Sequence, residues 1–460
     1  MIRQLRTSLL LCSVGWMLGC AALPDTAALI ERHSGQQARF ANAIGTLSTR
    51  KSAEVLAQLK RGSGDIDILD KQVALEQAIS DNPLVLGNRV TLLKDGAATY
   101  PAMVEAIRNA RDHINMESYI IEDDAVGREF ADLLIAQQAR GVQVNLIYDS
   151  VGALQTPAAF FERLRKAGIA VLEFNPVSPL AGNAPWRIHL RDHRKLLIID
   201  GATAFVGGIN ISSVYASGSS IRRKPEGGSD PPPWRDTDVR IEGPVVADFQ
   251  RLFLSTWAKQ RGAPLVERNY FPPTPARGKD IVRAIGSTPD DPYSQMYLTL
   301  ISAIGNAERQ VFATQAYFVP DPQLIKALLD AAGRGVDVRL VLPSHSDSSL
   351  AFHAGRSHFL HLLQGGVRIF EREGQLLHSK TVVIDGVWST VGSTNLDWRS
   401  FLDNDEINAV VLGRDFAQQM LDMFAVDQAA STAVDIEVWK KRSPMLRLKE
   451  WSARLLERLL

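Results

Sequence analysis

Cysteine is nearly absent from this 460-residue chain: Cys12 and Cys20 are the only two, and both lie close to the N-terminus. The rest of the chain therefore has no disulfide, no thiolate nucleophile and no cysteine metal site. An excess of either charge is missing too. Lys and Arg number 51, and Asp and Glu number 51. This balance speaks against nucleic-acid binding through bulk positive charge, while leaving room for a local basic groove. Carboxylates and histidines at metal-ligand spacing are also lacking, so no metal is expected. What remains is ordinary globular material, 45% hydrophobic and 22% charged, long enough for two domains or one duplicated unit.

The N-terminus stands apart. Arg3 and Arg6 precede an apolar run at 8–18, too short for a comfortable transmembrane helix. Gly19-Cys20-Ala21-Ala22 follows. A basic start, a short apolar stretch and small residues read as a secretory signal over 1–19. Cys20 after Gly19 resembles a bacterial lipoprotein signal, whose cysteine thiol receives diacylglycerol. A plain secretory signal or an uncleaved anchor are the alternatives. Each places the body of the protein outside the cytoplasm, on the periplasmic side of a cell envelope. Ala21, in place of an acidic residue, leans toward the outer membrane.

Residues 20–87 read as an N-terminal arm, polar and helical, with a break at Gly62-Ser63-Gly64. From 88 onward strands and helices alternate: strand 88–93, helix 101–111, strand 113–121, helix 126–140, strand 142–148. The order recurs in helix 297–307, strand 310–318 and helix 321–334. Arg140-Gly141-Val142-Gln143-Val144 is echoed by Arg334-Gly335-Val336-Asp337-Val338. Each copy continues through a short strand, 170–174 or 367–371. A repeat of roughly 180 residues is too long for a solenoid and indicates a duplicated β-α-β unit, an α/β fold with helices on both sheet faces. The expected layout is one half at 88–261, a proline-bearing linker at 262–280, a second half at 281–436 and a basic amphipathic helix at 437–460. The Gly-, Ser- and Pro-rich stretch 217–233 is expected to be a mobile loop.

Chemistry concentrates at 187–214 and 372–399. The first segment holds His193, Lys195, Asp200, Gly207 and Asn210; the second holds His378, Lys380, Asp385, Gly392 and Asn395. The five positions keep the same spacing while the residues between them change. A lone histidine is most often structural, but two copies of a full register are not explained that way. His and Lys two residues apart on a strand share a face. Asp200-Gly201 and Asp385-Gly386 are hairpin turn signals, and the returning strand brings Asn beside His and Lys. Packing the halves about a pseudo-twofold axis would unite both sets. One imidazole can then attack phosphorus, the other can protonate the departing oxygen, and Lys and Asn can donate to the non-bridging oxygens. Asp200 and Asp385 join the candidate catalytic residues, although turns favour a structural role for them.

Asp236 and Glu406 recur seven residues before Gly243 and Gly413. Each can accept from the second nitrogen of a catalytic imidazole, as in a triad; an exposed carboxylate at the start of a strand is the alternative. Glu117 and Tyr119 align with Gln315 and Tyr317, and these side chains either line a substrate groove or pack in buried strands. Ser393, opposite Gly208 in the repeat, is an extra donor on one side only.

Together these residues resemble the phospholipase D superfamily, and within it the bacterial cardiolipin synthases. The stretches that carry the resemblance are 116–120, 148–152, 234–237 with Gly243-Pro244, 316–320 and, above all, Gly392-Ser393-Thr394-Asn395-Leu396-Asp397-Trp398-Arg399-Ser400. The resemblance implies two α/β/α sandwich halves sharing one active site. It implies transfer of a phosphatidyl group between two phosphatidylglycerol molecules, giving cardiolipin and glycerol with no cofactor. It implies His193 as nucleophile and His378 as acid and base, a choice the nearly symmetric sequence does not itself make. Hydrolytic phospholipase D activity uses the same residues; a nuclease or a silent lipid-binding scaffold are further alternatives. The C-terminal segment places Leu448, Trp451, Leu455 and Leu459 at helical spacing among basic residues. It suits either an anionic membrane surface or a cap on the second half. Oligomeric state is not legible.

Overall fold

The computed structural model describes residues 23–33, 39–63, 72–73, 82–178, 187–216 and 233–460. Cys20 and nearly all of the 217–233 loop lie outside the described residues. The strands of the first half are β1 (Phe40–Asn42), β2 (Gly45–Thr46), β3 (Leu84–Lys94), β4 (His113–Ser118), β5 (Gln143–Asp149), β6 (Ala170–Phe174), β7 (Arg191–Asp192), β8 (Lys195–Ile199), β9 (Thr203–Gly207) and β10 (Thr237–Glu242). Those of the second are β11 (Asp280–Ser287), β12 (Gln310–Gln315), β13 (Asp337–Pro343), β14 (Arg368–Arg372), β15 (Lys380–Ile384), β16 (Trp388–Gly392), β17 (Asn404–Leu412) and β18 (Ser431–Ala433).

Pairing runs β6-β5-β4-β8-β9-β10-β3 in the first half. It runs β11-β17-β16-β15-β12-β13-β14 in the second. The second order is the first in reverse, strand for strand. The two meet at β3, whose residues 89–94 pair with β10 while Val85 and Asn88 pair with β11. The strands β5, β8 and β15 are buried along their whole length, as expected of strands covered on both faces. Helices Asp95–Arg108 and Ala125–Ala139 cover the outer face of the first sheet. Helices Gln295–Gly305 and Pro322–Gly333 cover that of the second. The inner faces share one apolar cluster, in which Leu196, Ile198, Val206 and Val239 meet Val383, Val391 and Ala409. Contact between the halves is thus a core rather than a loose interface.

Both hairpin turns form as their Asp-Gly signals require. Asp200 and Gly201 have φ of 52° and 60°, and Asp385 and Gly386 have 52° and 65°. Ala202 N–H donates to Ile199 O at 3.0 Å and Val387 N–H to Ile384 O at 3.1 Å. Two positive φ values in succession define a type I′ turn, whose twist matches its strands.

Some elements depart from expectation. The arm is not wholly helical: β1 and β2 form a hairpin, and β1 joins β3 in parallel. The strand expected from 88 begins at Leu84. The helix expected at 101–111 spans Asp95–Arg108, with Pro101 inside it. Tertiary burial overrides the proline signal there, because Tyr100 is sealed with its hydroxyl 2.8 Å from both Asn210 O and Ser212 O, which share its one proton. The strands expected at 113–121 and 310–318 end at Ser118 and Gln315. The C-terminal helix is broken into Ile436–Lys440, Pro444–Arg454 and a 3-10 turn at Glu457–Leu459. Pro444 starts its helix at a position that needs no N–H, and Ser443 caps it by accepting from Leu446 N–H at 3.3 Å.

Candidate active site

His193 and His378 each stand just before the first residue of a hairpin, β8 or β15, and both line one cleft of about 400 Å³ between the halves. The carboxylates are exchanged. His193 Nδ1 lies 3.1 and 3.2 Å from the two oxygens of Glu406. His378 Nδ1 lies 2.7 Å from Asp236 Oδ2. Each histidine is therefore held by the carboxylate of the opposite half, a pairing that the repeat alone does not specify. The crossing follows from β7, which pairs with the start of β17: His193 N–H donates to Asp405 O at 2.9 Å. On the other side His378 N–H donates to Arg235 O at 2.8 Å. With Nδ1–H given to a carboxylate, each ring keeps its Nε2 lone pair.

The lysines sit behind the rings. Lys195 Nζ donates to His193 O at 2.5 Å, and Lys380 Nζ donates to His378 O. Each ammonium also stacks over the equivalent tyrosine, Lys195 over Tyr119 at 5.1 Å and Lys380 over Tyr317 at 5.9 Å. Burial, with Lys380 adding to it, pushes Lys195 down to about 7 against the pull of Glu406. Burial lowers Lys380 to about 8. Burial and then the lysine charges hold His193 well below its ordinary value. His378 is lowered by burial and Lys380, with Asp236 opposing. Glu406 is raised to about 7 by burial, against Lys195 and Ser393. The cleft floor thus sets imidazoles of lowered pKa beside two buried lysines, whose charge an incoming anion would favour.

Asn210 and Asn395 both line the cleft. Asn210 is tied at both ends, accepting from Ile120 N–H at 3.0 Å and donating to Tyr215 Oη at 2.9 Å. Among the described residues the amide oxygen of Asn395 has no hydrogen-bond partner. Tyr119 and Tyr317 stand edge-on to His193 and His378, with centroids 5.1 and 6.1 Å away. Tyr317 donates to Asp347 at 2.6 Å.

Lys195, Lys380, Asp236 and Glu406 are buried behind the cleft wall rather than lining it, and four further expected residues are also kept from its surface. Asp200 accepts from the backbone N–H groups of Arg111, Asp112 and His113 at 2.9, 2.8 and 3.0 Å. Asp385 accepts from Glu308, Arg309 and Gln310 at 2.9, 2.8 and 2.9 Å. Both lie at the far end of their hairpins from the histidines, and their work is to hold the chain entering β4 and β12. Glu117 is sealed beneath the site, 3.8 Å from Arg194. Burial raises its pKa and Arg194 counters. Ser393 is buried and donates to Glu406, so it supports a carboxylate rather than facing a substrate.

The cleft also holds Arg191, Asp347 and Arg399, together with Asp397, which burial raises to about 6. Asp397 and Arg399 belong to the 392–400 stretch, but nothing in their spacing announces a place in the cleft. Arg194 was missed altogether, occupying the variable position between His193 and Lys195. Its guanidinium crosses between the halves, donating to Glu406 O at 3.1 Å, Ser287 O at 3.1 Å and Thr256 Oγ1 at 2.5 Å. Among the described residues no cluster of three or more His, Cys, Asp or Glu is arranged to hold a metal ion.

Comparison with known proteins matches residues 103–218 and 300–428 to a family described as "Cardiolipin synthase, PLD-like domain". The cardiolipin synthase of Alkalihalophilus pseudofirmus is 32% identical over 406 residues, covering 88% of this chain and 78% of that one. Cardiolipin synthase A of Pseudomonas putida is 34% identical over 384 residues, covering 82% and 76%. The crystal structure of phosphatidylserine synthase from Haemophilus influenzae superposes with a TM-score of 0.62 at 14% identity, over 85% of this chain and 100% of that chain, a likeness of fold alone.

Proposed function

The chain belongs to the phospholipase D-like cardiolipin synthases, and from that premise we propose that it joins two phosphatidylglycerol molecules through a covalent phosphatidyl-His193 intermediate. The crossed histidine–carboxylate pairs carry this reading, because they leave two imidazoles with free Nε2 atoms in one cleft. His193 Nε2 attacks phosphorus, and the bond to the glycerol oxygen breaks. The proton that glycerol needs comes from the His378 imidazolium, which Asp236 stabilises. A bound anionic phosphodiester offsets the lysine charges that lower His378, so the imidazolium forms where the substrate sits. The hydroxyl of a second phosphatidylglycerol then loses its proton to His378 and attacks phosphorus. The bond to His193 breaks, and cardiolipin leaves. Lys195, Lys380, Asn210 and Asn395 hold the charge on the non-bridging oxygens.

The test is a product assay. Purified protein with phosphatidylglycerol is expected to yield cardiolipin and glycerol in equal amounts; phosphatidic acid without cardiolipin would mean that water is the acceptor. His193→Ala is expected to abolish turnover, and quenched parent protein is expected to carry acid-labile phosphate on His193. We also propose that Cys20 is lipidated and tethers the enzyme on the periplasmic side of the envelope, a reading supported by the Gly19-Cys20 signal and by a lipid substrate. Palmitate labelling that persists in Cys20→Ala would overturn it. Among the described residues no helix is long and apolar enough to cross a membrane.

A further inference from the structure

Helix Pro444–Arg454 is packed inside out. Its buried side chains are Glu450 and Ala453, and Glu450 is held by the Arg442 guanidinium at 2.9 and 2.7 Å. Its large apolar side chains face outward instead. Met445, Leu448 and Trp451, continued by Leu455 and Leu459, are 55 to 66% exposed. A helix that merely capped the second half would bury that stripe and expose its charges. The flanks are cationic, with Arg447, Lys449, Arg454 and Arg458 all exposed. The acids between 444 and 460 are Glu450, which is buried, and Glu457, which lies 2.9 Å from His358 Nε2.

The stripe ends at the reaction site. Leu459 and Leu460 line the same cleft as His193 and His378, and Leu460 O accepts from Arg399 N–H at 2.9 Å. Val151 also lines the cleft, and Leu154 close to it in the chain is 68% exposed. Apolar outward side chains between cations match the boundary between headgroups and acyl chains of an anionic bilayer. A second copy of this chain is a poor occupant, because two such faces would bring like charges together.

We propose that the stripe from Met445 to Leu459 docks on an anionic bilayer and seats the cleft mouth in the headgroup layer, so that the lipid phosphodiester enters past Leu459. This rests on the reading of a lipid phosphodiester as substrate. The test uses the full chain carrying Cys20→Ala, which removes any lipid anchor. Flotation with phosphatidylglycerol vesicles is compared with flotation with phosphatidylcholine vesicles, with and without Leu448→Ser, Trp451→Ser and Leu455→Ser combined. The parent is expected to favour phosphatidylglycerol, and the triple variant to bind at least tenfold more weakly. Turnover of vesicle substrate is expected to fall tenfold or more, while turnover of monomeric short-chain phosphatidylglycerol is unchanged. Equal vesicle binding by parent and variant would overturn the proposal. So would a parent dimer that the variant converts to monomer without loss of vesicle binding. Stripe-dependent binding with no turnover in the parent would sustain docking and overturn the reaction.

Discussion

Gly208 and Ser393 occupy equivalent positions, and their difference accounts for the different lengths of the two carboxylates. A Cβ at Gly208 would stand 2.2 Å from Asp236 Oδ1, so the short carboxylate lies directly against the glycine. At Ser393 the hydroxyl fills that space and bonds to the longer Glu406. Gly208→Ala is expected to displace Asp236 and turn His378, lowering kcat by about 100-fold, the scale of a misplacement near 1 Å, with a smaller change in KM. Steady-state kinetics with a fold check by circular dichroism would read this. The lysines make a second prediction. Lys195 near 7 and Lys380 near 8 lose their positive charge as pH rises, which weakens attraction for the phosphodiester in the free enzyme. The pH profile of kcat/KM is expected to fall above pH 7 to 8. That of kcat falls at higher pH, because a bound anion favours the charged lysines. A kcat/KM still climbing at pH 9 would contradict the assignment.

At the scale of elements the two hairpins were the most legible parts. Asp-Gly turns, apolar runs and the His, Lys and Asn register are all local, and locality is what a sequence displays. The destination of the turn carboxylates was not legible, because it depends on where the preceding helix ends. Asp200 and Asp385 each cap three successive backbone N–H groups, so Asp200→Asn is expected to cost about 1–3 kcal/mol of stability with kcat nearly unchanged. Urea unfolding alongside an activity assay would check this, and a large loss of kcat at full stability would return Asp200 to the chemistry. The start of helix Asp95–Arg108 was hidden for a related reason. Pro101 is a local stop signal, and the burial of Tyr100 that outweighs it is tertiary.

For the whole molecule, duplication was legible from the repeated element order, and the exchange of carboxylates was not. Asp236 and Glu406 were found by their spacing to a glycine, but the partner of each lies across a boundary that no period encodes. Arg194 belongs to this scale. It reaches from the first half to Glu406, Ser287 and Asp405 in the second, and it faces the buried Glu117. Arg194→Met leaves the buried Glu117 without the cation beside it and removes the bonds to the second half, and it is expected to destabilise the fold by about 3–5 kcal/mol, read as a lowered midpoint of thermal unfolding. A midpoint unchanged by the substitution would show that the halves hold without it. The crossing of the two pairs has a consequence for the life of the chain. While only one half has folded, each imidazole lacks the carboxylate that orients it. A nascent or partly unfolded chain therefore lacks the oriented imidazoles of the finished site, and correct assembly is itself the switch that arms the enzyme.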